Sequence, residues 1–117
     1  DCECHVEGSR ALLERALNNV LGNACKHTAE DVAIDVALSE AGKECVISIR
    51  DYGTGVSPSA LEHLFEPFYR STTENNGYGL GLSIAQRAVQ RLSGTIEAHN
   101  HPQGGLEVVI CIPSKKV

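Results

Sequence analysis

The sequence predicts a single α+β domain, a two-layer sandwich with three helices on one face of a mixed β-sheet. Three observations support this fold class. Apolar residues recur at helical spacing in some segments and alternate at strand spacing in others. The elements follow in the order helix, strand pair, helix, loop, helix, strand pair. The 117 residues, of which 42% are hydrophobic, provide material for one core and exclude two independent domains.

The first part of the chain predicts a helix followed by a β-hairpin. Apolar residues recur every three or four positions over about residues 10–28, and Ser9 precedes them as a candidate N-cap. Two alternating apolar runs follow at 32–38 and 45–51. The polar link 39–43 joins them, so we expect the two strands to pair as a hairpin.

A short second helix is expected to begin at Ser57 and Pro58 and to continue to about Leu64. Serine is a favoured N-cap, and the fixed φ of proline suits the first helical position. Residues 66–79 show no periodicity. They are predicted to form a mobile loop that closes over a ligand, and the alternative is a plain surface connection.

The last part of the chain predicts a third helix and a second hairpin. The helix is expected over about residues 80–92, with Gly94 as the C′ glycine that ends it. Two strands are expected at 95–100 and 106–112. The turn 101–105 contains proline and two glycines, which is typical of a hairpin connection.

The composition excludes several functional classes. The net charge of −5 disfavours electrostatic binding of nucleic acid over a large surface, so any phosphate group must be bound by local contacts. No apolar run approaches the ~18–20 residues that span a bilayer, and no leader opens the chain, so we expect no membrane contact by this domain. The five cysteines are odd in number and irregularly spaced, which indicates reduced thiols in the cytosol.

The first helix carries a polar stripe at the margin of its apolar face. Asn19, Asn23 and Lys26 are separated by four and then three residues, so they lie on one side of the helix. An asparagine oxygen is a hard neutral ligand suited to Mg²⁺, and a lysine one turn later can meet phosphate oxygens. The alternative is an ordinary solvated helix edge.

A carboxylate is expected at a core position where the second strand ends. Residues 45, 47 and 49 share the core face by the period of two, and Asp51 falls on that same face. A buried carboxylate needs hydrogen-bond donors, and the exocyclic amine of a purine is one. Gly53 and Gly55 lack Cβ atoms, so a flat ligand can approach the backbone or the chain can turn with positive φ. The alternative is an aspartate that caps a turn.

A glycine-rich segment leads directly into the third helix. It reads Gly77-Tyr78-Gly79-Leu80-Gly81-Leu82. Alternating glycines at a helix N-terminus expose backbone N–H groups to an anion, although such a string is a weak signal alone. Neither of the two common phosphate loops fits, because there is no GxxxxGK[ST] motif and no strand feeds the glycines.

These segments, taken with the aromatic-rich stretch 64–70, resemble in order and spacing the catalytic ATP-binding domain of bacterial sensor histidine kinases. That domain belongs to the superfamily of gyrase, Hsp90, MutL and kinase ATPases. Residues 19–27 resemble its N box, 51–55 its first glycine box, 64–70 its F box and 77–82 its second glycine box. The resemblance covers nearly the whole chain and implies the Bergerat ATP-binding fold, with the ATP lid at about 66–79.

The resemblance implies Mg²⁺ and ATP as ligands and assigns residue roles. It implies Asn23 as the Mg²⁺ ligand with Asn19 beside it, Lys26 on the phosphates, His27 against the nucleotide where the family usually has tyrosine, and Arg70 reaching the γ-phosphate. It further implies Asp51 on the adenine amine, a pocket shaped by Gly53, Gly55 and Val56, and backbone amides of Gly77, Tyr78, Gly79, Leu80, Gly81 and Leu82 on the phosphates.

One position distinguishes the ATP-hydrolysing members of the superfamily from the kinases. The ATP-hydrolysing members carry a glutamate, as general base, four residues before the metal-binding asparagine, and here that position is Asn19. An amide cannot take up a proton at neutral pH, so we expect slow hydrolysis and transfer of the γ-phosphoryl group to another acceptor. The resemblance implies that this acceptor is a histidine on a separate helical dimerisation domain.

The resemblance also implies a setting for the domain. The parent protein is expected to be a membrane-bound, dimeric sensor kinase that signals to a response regulator, with this domain monomeric by itself and on the cytoplasmic side of the bacterial inner membrane. An alternative on the same fold is a nucleotide-gated interaction module or a serine-directed kinase of the anti-sigma-factor type. The two hypotheses differ in whether phosphohistidine is formed.

Overall fold

A computed structural model of the protein describes residues 8–26, 34–53, 55–66 and 81–114. In chain order the elements are α1 (Arg10–Lys26), β1 (Asp35–Ala41), β2 (Glu44–Arg50), α2 (Pro58–Glu62), α3 (Gly81–Arg91), β3 (Thr95–Asn100) and β4 (Leu106–Pro113). The strands form one sheet in the order β1-β2-β4-β3. Helices α1 and α3 pack against each other and on the sheet, so the predicted two-layer α+β sandwich is confirmed.

The strand pairing differs from the prediction in one respect. All three pairings among the described strands are antiparallel, so the described part of the sheet shows no parallel component of the predicted mixed sheet. Two of these pairings are hairpins, whose short connections reverse the chain and exclude parallel pairing. β1 also continues past the predicted end at residue 38 to Ala41, because Gly42, with φ of 61°, permits a two-residue turn before Glu44.

The core lies between the helices and the central strands. β4 alternates strictly, with Leu106, Val108, Ile110 and Ile112 buried against the helices. The helices contribute small and branched side chains to the same cluster, among them Ala16, Val20, Ala85 and Val89. Cys45 and Cys111 are free thiols, as the sequence predicts. No helix in the described ranges combines the length and the apolar character that a membrane crossing requires.

The capping residues at the helix ends agree with the sequence prediction for α1 and differ from it for α3. The Ser9 hydroxyl oxygen accepts a hydrogen bond of 3.3 Å from the Leu12 N–H, so Ser9 caps α1 as predicted. The end of α3 differs from the prediction: Ser93, with φ of 65°, is the C′ residue, and Gly94 follows it, donating its N–H to the Val89 carbonyl at 2.9 Å. Gly94 is required there for space, since a Cβ would lie 2.4 Å from the Cys111 carbonyl oxygen.

Candidate functional site

Asp51 is buried at the end of β2, on the core face that the period of two predicts, with 2% of its surface exposed. Its backbone N–H donates to the Leu106 carbonyl at 3.0 Å, which extends the β2–β4 pairing by one residue. Its Oδ1 accepts two further hydrogen bonds, from the Gly53 N–H at 2.9 Å and from the Leu106 N–H at 3.1 Å. These three bonds fix both the backbone and the orientation of the carboxylate.

The second carboxylate oxygen of Asp51, Oδ2, lies outside this network. Among the described residues no donor bonds to Oδ2. A buried carboxylate oxygen without a donor is unfavourable by about 1–3 kcal/mol. The atom therefore suits a ligand that brings its own N–H group.

Two glycines allow the backbone to close around this carboxylate. Gly105 has φ of 87°, and a Cβ on it would lie 1.9 Å from the Asp51 carbonyl oxygen and 3.0 Å from Oδ1. Gly55 has φ of 77°, and a Cβ on it would lie 2.6 Å from Oδ1 of Asn100. Both positions thus need glycine for conformation and for space.

Asn100 holds the loop that follows Asp51. Its Nδ2 donates to the Val56 carbonyl at 2.7 Å, and its Oδ1 accepts from the Val56 N–H at 2.9 Å. The side-chain amide thereby imitates a neighbouring strand and satisfies both backbone groups of Val56. The last residue of β3 consequently determines where the predicted pocket residues Gly55 and Val56 lie.

A second group of side chains supports the same end of the sheet from its outer face. The Arg50 guanidinium donates to the Gly104 carbonyl at 3.2 Å from Nε and 3.0 Å from Nη2, and it lies 4.1 Å from the centre of the Tyr52 ring. The Tyr52 hydroxyl donates to Asp35, and this hydrogen bond is the main reason why the pKa of Tyr52 is raised above its ordinary value of 10.0. The β3–β4 turn is therefore tied to β2 and, through Tyr52, to β1.

The polar stripe of α1 is described in part. Asn19 is half-buried, and its Nδ2 donates to the Arg15 carbonyl at 2.7 Å, one turn earlier on the helix. Asn23 and Lys26 lie farther along α1, with their side chains outside the described part, and His27 lies outside the described residues. Among the described residues, no hydrogen bond joins Asn19 to the Asp51 loop.

The glycine-rich segment is described only from its last residues. Arg70, Gly77, Tyr78, Gly79 and Leu80, together with most of the predicted lid at 66–79, lie outside the described residues. Gly81 is the first residue of α3, and Leu82 is fully buried in the core. Leu82 can therefore offer a ligand only its main chain.

The predicted Mg²⁺ site relies on a single amide oxygen of α1. The described ranges contain no cluster of three or more His, Cys, Asp or Glu side chains. Mg²⁺ is commonly held by one or two protein oxygens together with substrate phosphates and waters, and it does not need such a cluster. The predicted amide ligand, Asn23, lies on α1, and its role in holding Mg²⁺ stays a prediction.

Sequence reasoning missed three residues of the site: Asn100, Gly105 and the backbone of Leu106. All three belong to the β3–β4 hairpin, which packs beside the Asp51 loop only in the folded sheet. The Gly104-Gly105 pair was visible as turn chemistry. Its role against Asp51 depends on the β2–β4 pairing, which joins residues more than fifty positions apart.

Known proteins resemble this chain in sequence and in fold. The model of the family "Histidine kinase-, DNA gyrase B-, and HSP90-like ATPase" matches residues 8–116. The sensor histidine kinase CpxA of Escherichia coli (strain K12) is 37% identical over 113 residues, which is 93% of this chain and 24% of CpxA. The chain spans about a fifth to a quarter of the length of the curated relatives it matches.

Two solved structures show the same fold. The mycobacterial sensor histidine kinase MprB superposes with a TM-score of 0.86 at 28% identity, covering 96% of this chain and 78% of that one. Full-length ShkA in complex with AMPPNP superposes with a TM-score of 0.81 at 28% identity, covering 98% of this chain and 24% of that one. One of these neighbours is thus a sensor histidine kinase, and the other was solved with an ATP analogue.

Proposed function

Because this chain belongs to the family of histidine kinase-, DNA gyrase B- and HSP90-like ATPases, we propose that it binds Mg·ATP and supplies the γ-phosphoryl group to a histidine on a separate domain of a sensor kinase. The main support for this proposal is the burial and the hydrogen bonding of Asp51. A buried carboxylate with one oxygen fully bonded and the other without a described donor suits the exocyclic amine of adenine.

The Asp51 geometry favours adenine over guanine. The 6-amino group of adenine donates a hydrogen bond, whereas guanine has a carbonyl oxygen at the same position. A carbonyl oxygen against Oδ2 would put two acceptors together in a buried site, which is unfavourable. Gly105 brings the β3–β4 turn against Asp51, where a Cβ would lie 3.0 Å from Oδ1, so this turn forms one side of the proposed pocket.

The remaining ligand contacts are proposed from the family pattern. Asn23 ligates Mg²⁺ with Asn19 beside it, and Lys26 contacts the phosphates. His27 lies against the nucleotide, Arg70 contacts the γ-phosphate, and the main chain of 77–82 donates N–H groups to the phosphates. The net charge of −5 is compatible with this anionic ligand, because these contacts are local.

The presence of asparagine at position 19 favours the hypothesis of phosphoryl transfer to a protein acceptor over the hypothesis of rapid ATP hydrolysis. A hydrolytic enzyme of this superfamily needs a general base near the attacking water, and the amide of Asn19 cannot accept a proton. Its Nδ2 is also bonded to the Arg15 carbonyl, which holds the side chain against its own helix. We therefore expect the domain to hold ATP with slow turnover until an acceptor histidine approaches.

The proposed setting follows the relatives, which include proteins named as sensor or signal transduction histidine kinases and are several times as long as this chain. In this proposal the partner is the dimerisation and phosphoacceptor domain of the parent kinase, and the response regulator acts downstream. The domain itself is monomeric and lies on the cytoplasmic side of the inner membrane. It contacts neither nucleic acid nor lipid.

The base assignment is tested by Asp51→Asn, with Glu40→Gln as the control at an exposed carboxylate on β1. Calorimetric titration should show ATP binding weakened about tenfold to a hundredfold for Asp51→Asn, since one charge-assisted hydrogen bond contributes about 1.5–3 kcal/mol. The affinity of Asp51→Asn for inorganic tripolyphosphate should change little, and so should the affinity of the control variant for ATP. Equal losses for ATP and tripolyphosphate would refute the adenine contact.

The transfer step is tested by mixing the chain with a dimerisation and phosphoacceptor segment of a sensor kinase and labelled ATP. We expect acid-labile, base-stable phosphohistidine on that segment, and none after its acceptor histidine is replaced. Phosphoserine on a partner protein, or nucleotide-dependent association without transfer, would instead support the anti-sigma type of function.

A further inference from the structure

A groove between α1 and α3 lies apart from the residues assigned to the nucleotide. Its volume is about 470 Å³, and none of its lining residues belongs to the Asp51 network or to the predicted phosphate contacts. Leu12 and Ile84 are partly exposed and contribute apolar surface, whereas Ala88 is only 3% exposed. Arg15, Arg87 and Arg91 contribute three guanidinium groups, and all three side chains are exposed.

The spacing of the arginines places them along one groove. Arg87 and Arg91 are four residues apart on α3, so they lie one turn apart on the same face. Arg15 lies three residues after Leu12 on α1, and both residues line the groove from the opposite side. The groove thus presents cations on both of its walls.

These arginines have no ion-pair partner within the described ranges. The one ion pair on these two helices that the described residues show joins Arg10 to Glu14 at 3.0 Å, and neither residue lines the groove. An unpaired guanidinium retains five N–H donors in a planar fork that matches a carboxylate. Three such groups close together repel one another unless an anion neutralises them.

The charge of the whole fold is divided between its two layers. The three helices carry five basic residues and two acidic residues: Arg10, Arg15, Lys26, Arg87 and Arg91 against Glu14 and Glu62. The four strands show the reverse, five acidic residues and one basic residue: Asp35, Glu40, Glu44, Glu97 and Glu107 against Arg50. Among the helices and strands of the described chain, the positive charge therefore lies mainly on the helices, although the net charge of the whole chain is −5.

We propose that the α1–α3 groove docks an acidic segment of another polypeptide, with carboxylates on Arg15, Arg87 and Arg91 and an apolar side chain against Leu12 and Ile84. Charge complementarity identifies the occupant, and the apolar surface explains why a peptide fits better than a free anion. An amphipathic acidic helix places such groups at three- and four-residue spacing. The acidic strands and the net negative charge disfavour an extended polyanion such as nucleic acid or an anionic bilayer.

Selection from a random peptide library tests this proposal. Sixteen-residue peptides displayed on phage are selected on the 117-residue chain, and the enriched peptides are synthesised and titrated by fluorescence anisotropy. We expect enrichment of Glu and Asp with an apolar residue three or four positions away. Binding should weaken about tenfold in Arg15→Gln/Arg87→Gln/Arg91→Gln, since each exposed pair contributes modestly, and it should also weaken with added salt.

Single variants provide the matched control. Arg91→Gln should lower affinity a few-fold, whereas Arg10→Gln removes the same charge from α1 outside the groove and should leave affinity unchanged. The exposed positions should leave thermal melting unaltered in every variant. Enriched peptides without acidic residues, or equal binding by Arg91→Gln and Arg10→Gln, would overturn the proposal. Tighter binding of phosphatidylglycerol vesicles or of single-stranded DNA than of the selected peptides would also overturn it.

Discussion

Replacing Gly105 by alanine should destabilise the fold far more than the same replacement at its neighbour, Gly104. Both glycines have positive φ, 87° and 109°, so alanine is strained at either position by about 1–3 kcal/mol. A Cβ at Gly104 meets nothing within 4 Å. A Cβ at Gly105 lies 1.9 Å from the Asp51 carbonyl oxygen, so the β3–β4 turn must move away from β2.

The expected difference in stability between the two variants follows from the hydrogen bonds that this movement of the turn breaks. The Asp51 N–H donates to the Leu106 carbonyl at 3.0 Å, and the Leu106 N–H donates to the Asp51 carboxylate at 3.1 Å. The first bond contributes about 0.5–1.5 kcal/mol and the second, to a charged group, about 1.5–3 kcal/mol. We therefore expect Gly105→Ala to be less stable than Gly104→Ala by about 2–4 kcal/mol.

Urea unfolding followed by circular dichroism measures this difference as a shift of midpoint at constant slope. For a domain of this size it corresponds to roughly 4 °C in Tm per kcal/mol. Comparing the two alanine variants cancels the strain of positive φ and isolates the steric contact. If both variants unfold at the same midpoint, the turn does not close on Asp51 as described and the argument fails.

Two further predictions concern the supports of the site. Asn100→Ala removes both hydrogen bonds to Val56, so it should weaken ATP binding several-fold and lower the free energy of unfolding by about 1–2 kcal/mol. Asn18→Ala, at an exposed position, is the control. If calorimetry gives Asn100→Ala and Asn18→Ala the same affinity for ATP, the positioning role of Asn100 is contradicted. The Tyr52–Asp35 hydrogen bond raises the pKa of Tyr52 above 10.0 in the folded protein, so its stabilisation is present below pH 10 and is lost as pH rises through the higher folded value. Ultraviolet titration of the tyrosinates should show this delayed ionisation, and Asp35→Asn should return it to the ordinary range; an unchanged titration would disprove the bond.

The sequence predicts most of the fold because its signals are local. The limits of β3 and β4 agree with the structure to within a residue, since strict alternation and flanking glycine or proline define them. The period of two also places Asp51 on the core face. The C′ position of α3 was misplaced by one residue, because glycine at position 94 is required by the nearby Cys111 carbonyl and not by its own φ. The roles of Asn100 and Gly105 come from contacts across the sheet that no local pattern contains.

The two oxygens of Asp51 divide the structural role from the binding role, which is why asparagine is the informative replacement. Oδ1 accepts from the N–H groups of Gly53 and Leu106, and an asparagine can keep both bonds only if its own carbonyl oxygen takes the place of Oδ1. Its NH₂ group must then replace Oδ2 and would present donors to the donating amine of adenine. Asp51→Asn should therefore retain the architecture of the loop while reversing the hydrogen-bond character that the ligand meets. Alanine would remove both functions at once, and a loss of ATP binding in that variant would not distinguish an unfolded loop from a missing contact.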